Sequence, residues 1–307
     1  MRVATIQARP IDGLHSEKNV PRALKLLEEA AEKNIDLACF PDGYPSTGEK
    51  KICKKAQDLN IYVIASILTK CKNGKYCNEG VLISPSGEIL GRHEKTVLLW
   101  AFEEDIIRRG KELNVFKTKL GNIGVLKCSE TLYPEPAANL TLKGADIIFV
   151  QANFLSNLLE FWHRILMVRS WENWMPIVAV NTAKWKKESI IYKNFELSPS
   201  YGGKSVVFVP ENFQTLDEFM VRPFNGGIFY TKKRMCKAMA GYGEEIILAN
   251  IDLSIYRRFR EVFFKNRKMQ FFSYGDVKQI GSGQDDLRGR DYDDPPLVKA
   301  VSDSSLF

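Results

Sequence analysis

The sequence predicts an α/β protein built as a four-layer α-β-β-α sandwich, two mixed sheets with helices outside. Three observations lead there. Short apolar strands alternate with helical patterns from the first residues onward. Hairpins interrupt that alternation, so parallel and antiparallel pairs must share a sheet. The strand count is also high for one doubly wound sheet, which favours two sheets face to face.

The opening reads strand, helix, strand. RVATIQA (2–8) is short and mostly apolar. Val20, Ala23, Leu24, Leu27 and Ala31 then recur at helical spacing. IDLACF (35–40) has the look of a strand buried on both faces and stops at Pro41. A lysine-rich helix over 49–59 leads to the strand IYVIASIL (61–68). GVLISPSGEILGRHEK (80–95) reads as a hairpin turned at Pro85-Ser86-Gly87, and NVFKTKLGNIGVLKC (114–128) as a second, turned at Gly121-Asn122. A short helix (136–143) precedes the strand ADIIFVQ, and a long aromatic helix (158–174) precedes PIVAVN. The strands GKSVVFV, GGIFYTK and EEIILANIDL follow. From Gly281 apolar periodicity gives way to Gly, Asp and Pro. The expected organisation is therefore one domain over 1–280 and a tail over 281–307, mobile or ordered against a partner.

Bulk properties narrow the function. The 307 residues are 45% hydrophobic and 26% charged, a globular composition. No apolar run reaches the roughly 18 residues of a membrane helix. The first residues, MRVATIQARP, resemble a strand rather than a secretory leader. The net charge of +7 comes from scattered lysines and the short runs KWKK and TKKRMCK, without the interleaved aromatics of a nucleic-acid site. The three histidines lie far apart, so no metal site is expected. The six irregularly spaced cysteines are read as reduced thiols of a cytoplasmic protein.

The stretch GVLKCSETLYPEP (124–136) poses the functional question. An apolar run ends on Cys128 and a turn follows at once. A free cysteine commonly fills a core gap. The alternative is a nucleophile held at a strand end, where α/β folds gather their chemistry. Two other strand ends carry charge, Asp42 after IDLACFP and Lys95 after GEILGRHE. None of the histidines sits in a suitable setting for a base; His93 is the best placed, two residues before Lys95 on the same strand face.

Taken in order, Phe40-Pro41-Asp42, Arg92-His93-Glu94-Lys95 and GVLKCSETLYPE resemble the nitrilase superfamily of carbon–nitrogen hydrolases. The corresponding stretches there are F-P-E, Y-R-K-x-H-L and G-x-x-x-C-[YW]-[DE]-x-x-[FY]-P-E. YCNEGVLISPSGEILGRHEK, RSWENWMPIVAVN and YGGKSVVFVP also match ordered stretches of that family, so the resemblance runs from Met1 to about Leu253. It implies that Cys128 is the nucleophile and that Lys95, with the backbone N–H of Ser129, stabilises the oxyanion. Asp42 stands where the family's glutamate base takes the thiol proton. Glu103, eight residues after Lys95, inherits the positioning of Lys95 and substrate; read alone it is a loop charge. Glu130, Glu135, Arg169, Glu172 and Asn173 match positions that support the site.

The implied reaction is hydrolysis of a small linear amide, carbamoyl-amide or nitrile through a thioester, with no cofactor, metal, nucleic acid or membrane. A homodimer or higher homo-oligomer is also implied. The sequence departs from the family at Asp42, whose side chain is one methylene short of glutamate, about 1.5 Å of reach. It is also shorter than usual between Gly48 and Asn60 and lacks an arginine after Pro134-Glu135. Ser170 and Trp171 replace common small or aliphatic residues. These departures keep a second reading open: a catalytically impaired homologue that binds a small molecule or protein partner. A transferase passing the acyl group to an amine would share the same site.

Overall fold

The computed structural model describes residues 1–72, 74–99, 103–186, 190–192, 195–197, 200–210 and 235–263. Strand β1 (Arg2–Gln7) leads through helix α1 (Asn19–Ala31) to β2 (Leu37–Cys39) and the two-residue β3 (Pro45–Ser46). Helix α2 (Glu49–Leu59) precedes β4 (Tyr62–Lys70), β5 (Tyr76–Ile83) and β6 (Ile89–Glu94). The second half opens with β7 (Val115–Thr118) and β8 (Gly121–Lys127), a 3-10 turn over Cys128–Leu132, and α3 (Pro134–Leu142). Then come β9 (Ile147–Ala152), α4 (Leu159–Glu172) and β10 (Ile177–Asn181). Four short strands, β11 (Trp185–Lys186), β12 (Ile190–Tyr192), β13 (Phe195–Leu197) and β14 (Ser200–Tyr201), form two ribbons. The described chain closes with β15 (Val206–Phe208), β16 (Cys236–Met239), β17 (Glu245–Asn250) and α5 (Leu253–Phe263).

These strands make the two mixed sheets expected. The first runs β17-β1-β2-β4-β5-β6, with β3 beside β4; the second runs β16-β15-β10-β9-β8-β7. Each has three parallel strands at its centre, β1-β2-β4 and β8-β9-β10, with antiparallel strands on both flanks. Helices on the outer face of each sheet seal a separate apolar core. On the first, Leu26 and Leu27 of α1 and Ile52 of α2 pack against Ile6, Val63, Ala65 and Val81. On the second, Leu140 of α3 and Trp162 and Leu166 of α4 pack against Leu126, Ile148, Val150 and Ala179.

Strand alternation then fixes what lies between the sheets. Residues of opposite parity, among them Gln7, Ser66, Lys127 and Gln151, are buried but belong to neither outer core. Apolar residues such as Val3, Ile64, Val125 and Phe149 share this parity, and the polar ones bond across from sheet to sheet. Gln7 accepts from the backbone N–H and hydroxyl of Ser205, both at 2.8 Å, and Gln151 donates to the carbonyl of Phe40 at 2.9 Å. Gly80 makes room here, because a Cβ on it would lie 2.8 Å from both Gln151 Oε1 and Val125.

Most predicted elements are present within a residue or two, and α2 spans its predicted residues. Two readings change. The helix α5 lies beyond the strand predicted over 244–253 and was not anticipated; its Arg257 and Arg260 anchor it to Asp146. Cys71 and Cys77, expected as free thiols, form a disulfide. The β4–β5 hairpin explains this, since Thr69 pairs with Cys77 and the Cα atoms of Cys71 and Cys77 come to 5.9 Å. His93, set aside as a base from sequence, is fully buried against Glu130. The strand predicted at GGIFYTK, the run TKKR and the 280/281 boundary with its tail lie outside the described residues.

Candidate active site

Asp42 is placed by a turn that its own sequence demands. Pro41-Asp42-Gly43-Tyr44 closes with Tyr44 N–H donating to the Pro41 carbonyl at 3.3 Å, and Gly43 supplies the positive φ of 67°. The second sheet clamps the turn: Asn153, just beyond β9, donates to the Asp42 carbonyl at 2.8 Å. The carboxylate Oδ1 accepts from Asn78 Nδ2 at 3.1 Å and Ser66 Oγ at 3.3 Å. It also meets Lys127 Nζ at 3.0 Å. No described donor reaches Oδ2.

Lys95 follows β6 directly and its backbone is held by Asn78 and Gly110. Its side chain is 1% exposed. The ammonium sits on both carboxylate oxygens of Glu103, at 2.6 and 2.8 Å. Glu103 is fixed in turn by the Leu99 N–H at 2.6 Å. The loop charge thus has a defined partner, and it is the one that the resemblance implied.

Cys128 occupies the corner after β8 with φ at +36°, a conformation unfavourable for a residue with a Cβ. Glu130 holds the chain there. It accepts from Lys127 N–H at 2.6 Å, Thr96 N–H at 2.6 Å, Thr96 Oγ1 at 2.5 Å and pairs with His93 Nε2 at 2.7 Å. These bonds tie the Cys128 turn to the strand end that carries Lys95. Burial opposes the Glu130 charge, but His93 and the Thr96 donors outweigh it and hold the carboxyl below its usual range. Ser129, 2% exposed, anchors its hydroxyl on the Val97 carbonyl at 2.6 Å.

Electrostatics bind these parts into one site. Burial pushes the Cys128 thiol up to about 11; Lys95 pulls it down, Asp42 and Glu103 push it up, and the Asn153 N–H lowers it through a hydrogen bond. Lys95 is held above its ordinary value: burial disfavours the cation, but Cys128, Asp42 and Glu103 outweigh that. Asp42 is held below the carboxylate range because Lys127 and Lys95 overcome its burial. Tyr201, pushed up to about 12 chiefly by burial, feels Cys128, Asp42, Glu103 and Lys95 as well, so its phenol borders the same space.

Asp42, Lys95, Glu103 and Cys128 are therefore brought together, with Ser129 in the turn after the thiol. Glu130 acts as an anchor, as its motif position suggested. Sequence reasoning missed Lys127, Asn78, Ser66 and Asn153. Lys127 carried a signal: a lysine ending the apolar run VL before Cys128, at inward parity, cannot be buried without a partner.

Residues 2–261 match the carbon-nitrogen hydrolase family. The chain belongs to this family. Among relatives of this carbon–nitrogen hydrolase, a probable nitrilase of Schizosaccharomyces pombe is 32% identical over 104 residues. That match covers 34% of this chain and 38% of the relative, so the chain spans little more than a third of its length. An omega-amidase of Saccharomyces cerevisiae is 23% identical over 90% of this chain and 96% of its own. The fold is shared with a carbon-nitrogen hydrolase structure from Helicobacter pylori G27, with a TM-score of 0.72, 21% identity and coverage of 90% and 97%. Among the described residues no helix is long and apolar enough to cross a membrane.

Proposed function

We propose that this carbon–nitrogen hydrolase cleaves a small linear amide, carbamoyl-amide or nitrile through a Cys128 thioester. Amides are the favoured class, consistent with the omega-amidase relative. The observation that carries the reading is the mutual influence of Cys128, Lys95, Asp42 and Glu103, residues far apart in the chain, around one thiol.

The chemistry follows from their states. A thiol near 11 is about 10⁻⁴ thiolate at pH 7, so it must lose its proton as it attacks. Asp42, an anion with Oδ2 available, takes that proton. The sulfur bonds to the acyl carbon while the carbonyl electrons move to oxygen, where Lys95 and the Ser129 N–H stabilise the charge. First-turn N–H groups have no partner within their own helix, so the donor is available. Ammonia leaves with the proton that Asp42 took. Water, giving a proton to the same carboxylate, then attacks the thioester and releases the acid and the thiol. Glu103 keeps Lys95 aimed.

The exposed apolar residues Phe161, Val168 and Trp171 lie along α4, with Tyr133 also exposed. We read the helix face as the contact of a homodimer.

Ammonia release from a panel of amides, carbamoyl-amides and nitriles tests the function, together with iodoacetamide labelling. The wild type should turn over at least one amide, label at Cys128, and be protected by that amide. Cys128→Ser should lose at least 10³-fold in kcat. Full turnover by Cys128→Ser, or silence of the wild type on the whole panel despite amide binding, would overturn the hydrolase reading.

A further inference from the structure

The base position combines two features that belong together. Its carboxylate is one methylene short, and an ammonium stands 3.0 Å away. That ammonium is Lys127, the last residue of β8 and the neighbour of the nucleophile. Its side chain is wholly buried between the sheets. The nitrogen also donates to Ser66 Oγ at 2.6 Å and to Gln151 Oε1 at 3.4 Å. Ser66 comes from β4 in the first sheet and Gln151 from β9 in the second, so the ammonium is gripped from both sides.

We propose that Lys127 is a positioning residue of the reaction: it fixes the Asp42 carboxylate through Oδ1, keeps it an anion, and leaves Oδ2 to take the proton. The inference rests on the hydrolase reading above and extends it to a residue which that reading does not use. Three considerations support it. A short carboxylate cannot search for its target, so a fixed partner must set where its oxygens lie; misplacement by about 1 Å can cost on the order of 10²-fold in rate.

The second consideration is burial. A carboxyl this deep between sheets would otherwise favour its neutral form, which cannot accept a proton. The cations that reverse this are Lys127 first and Lys95 second. The third is charge balance. Lys95 and Lys127 offset Asp42 and Glu103 before reaction, so negative charge developing on sulfur or oxygen meets a balanced site. Without Lys127 the same charge would build up beside an excess of anions.

The test compares wild type with Lys127→Met and Lys127→Arg. The groups facing Asp42 are Lys127, Lys95, Ser66 and Asn78, with Cys128 close by; Cys39 is the other thiol that feels Lys127. Removing Lys127 should lower kcat for ammonia release at least tenfold with little change in KM. The acid limb of the kcat/KM profile should move up by at least one pH unit, because burial then dominates the carboxyl. Lys127→Arg, which keeps the charge, should restore the limb toward wild type. An acid limb that stays in place in Lys127→Met overturns the proposal.

A second measurement needs no activity. Asp42 is depressed in the fold, so its contribution to stability is present above its unfolded pKa and is lost as pH falls through the folded one. In Lys127→Met burial raises the carboxyl above its unfolded value, a penalty that is lost as pH falls toward that value, so the melting-temperature gap between wild type and Lys127→Met should narrow between pH 7 and 4. Lost packing alone would keep the gap constant, and a constant gap overturns the proposal. Should Lys127→Met not fold, Asp42→Asn gives the same reading, with its gap closing below about pH 4. A wild type inert on every amide, with a gap that still closes, would sink the hydrolase reading and leave the ion pair standing.

Discussion

The two buried lysines of the site make opposite use of the same burial. Lys95 and Lys127 expose 1% and 0% of their surface. Lys95 lies against one part-exposed partner: the Glu103 side chain is 19% exposed, and both its oxygens hold the ammonium. Lys127 lies in a buried cage formed by Asp42, Ser66 and Gln151, with no solvent-facing group among them. A cation that must meet a developing oxyanion needs a partner that can yield as charge appears. A cation that must hold a base in place needs one that cannot. The open pair is thus suited to the chemistry and the closed pair to alignment.

The largest effect that could break this contrast is at the open pair. Lys95→Met should lower kcat on the order of 10³-fold, since it removes the donor that the proposed reaction gives to the oxyanion. Glu103→Gln leaves the ammonium present but held by one oxygen fewer, and should cost about 10²-fold. Steady-state kinetics on the best amide measures both. Equal losses would show that Glu103 belongs to the reacting set and does more than aim Lys95. A loss at Glu103 below threefold would show that Lys95 is aligned by its backbone anchors on Asn78 and Gly110.

The same contrast explains what could be read from sequence. Asp42, Lys95 and Cys128 were legible because each ends a strand whose boundaries local signals mark: Pro41, a Pro-Ser-Gly hairpin, and an apolar run broken by a turn. The sandwich followed from alternation and strand count. The cage around Lys127 was not legible in that way. Its members come from the turn after β2 and from β4, β8 and β9, and only the register between two sheets brings Ser66 and Gln151 to one nitrogen. Nor does spacing reveal that Glu130 ties Thr96 and His93 to the Cys128 turn, since those bonds cross from one sheet to the other. Helix α5 was missed because its anchor, Asp146, lies more than a hundred residues earlier.

The smallest effect, and the one that sharpens the contrast most, concerns the Cys71–Cys77 disulfide. It closes the end of the β4–β5 hairpin, and the next residue in that strand register, Tyr76, exchanges backbone bonds with the loop carrying Glu103. Tyr76 N–H donates to Ile106 at 2.8 Å and its carbonyl accepts from Arg108 at 2.8 Å. Ile107 N–H in turn donates to the Glu103 carbonyl at 2.7 Å. A crosslink over so short a loop contributes about 2 kcal/mol, so Cys71→Ser/Cys77→Ser should lower the melting temperature by roughly 5 °C. The loosened loop should cost a few-fold in kcat through Glu103. Because none of these contacts reaches Asp42 or Lys127, the acid limb of the pH profile should stay where the wild type has it. If that limb moves with the disulfide, the two pairs are coupled through the β4–β5 hairpin, which supplies Ser66 and Asn78 to one and Tyr76 to the other, and their separation into an open and a closed pair fails.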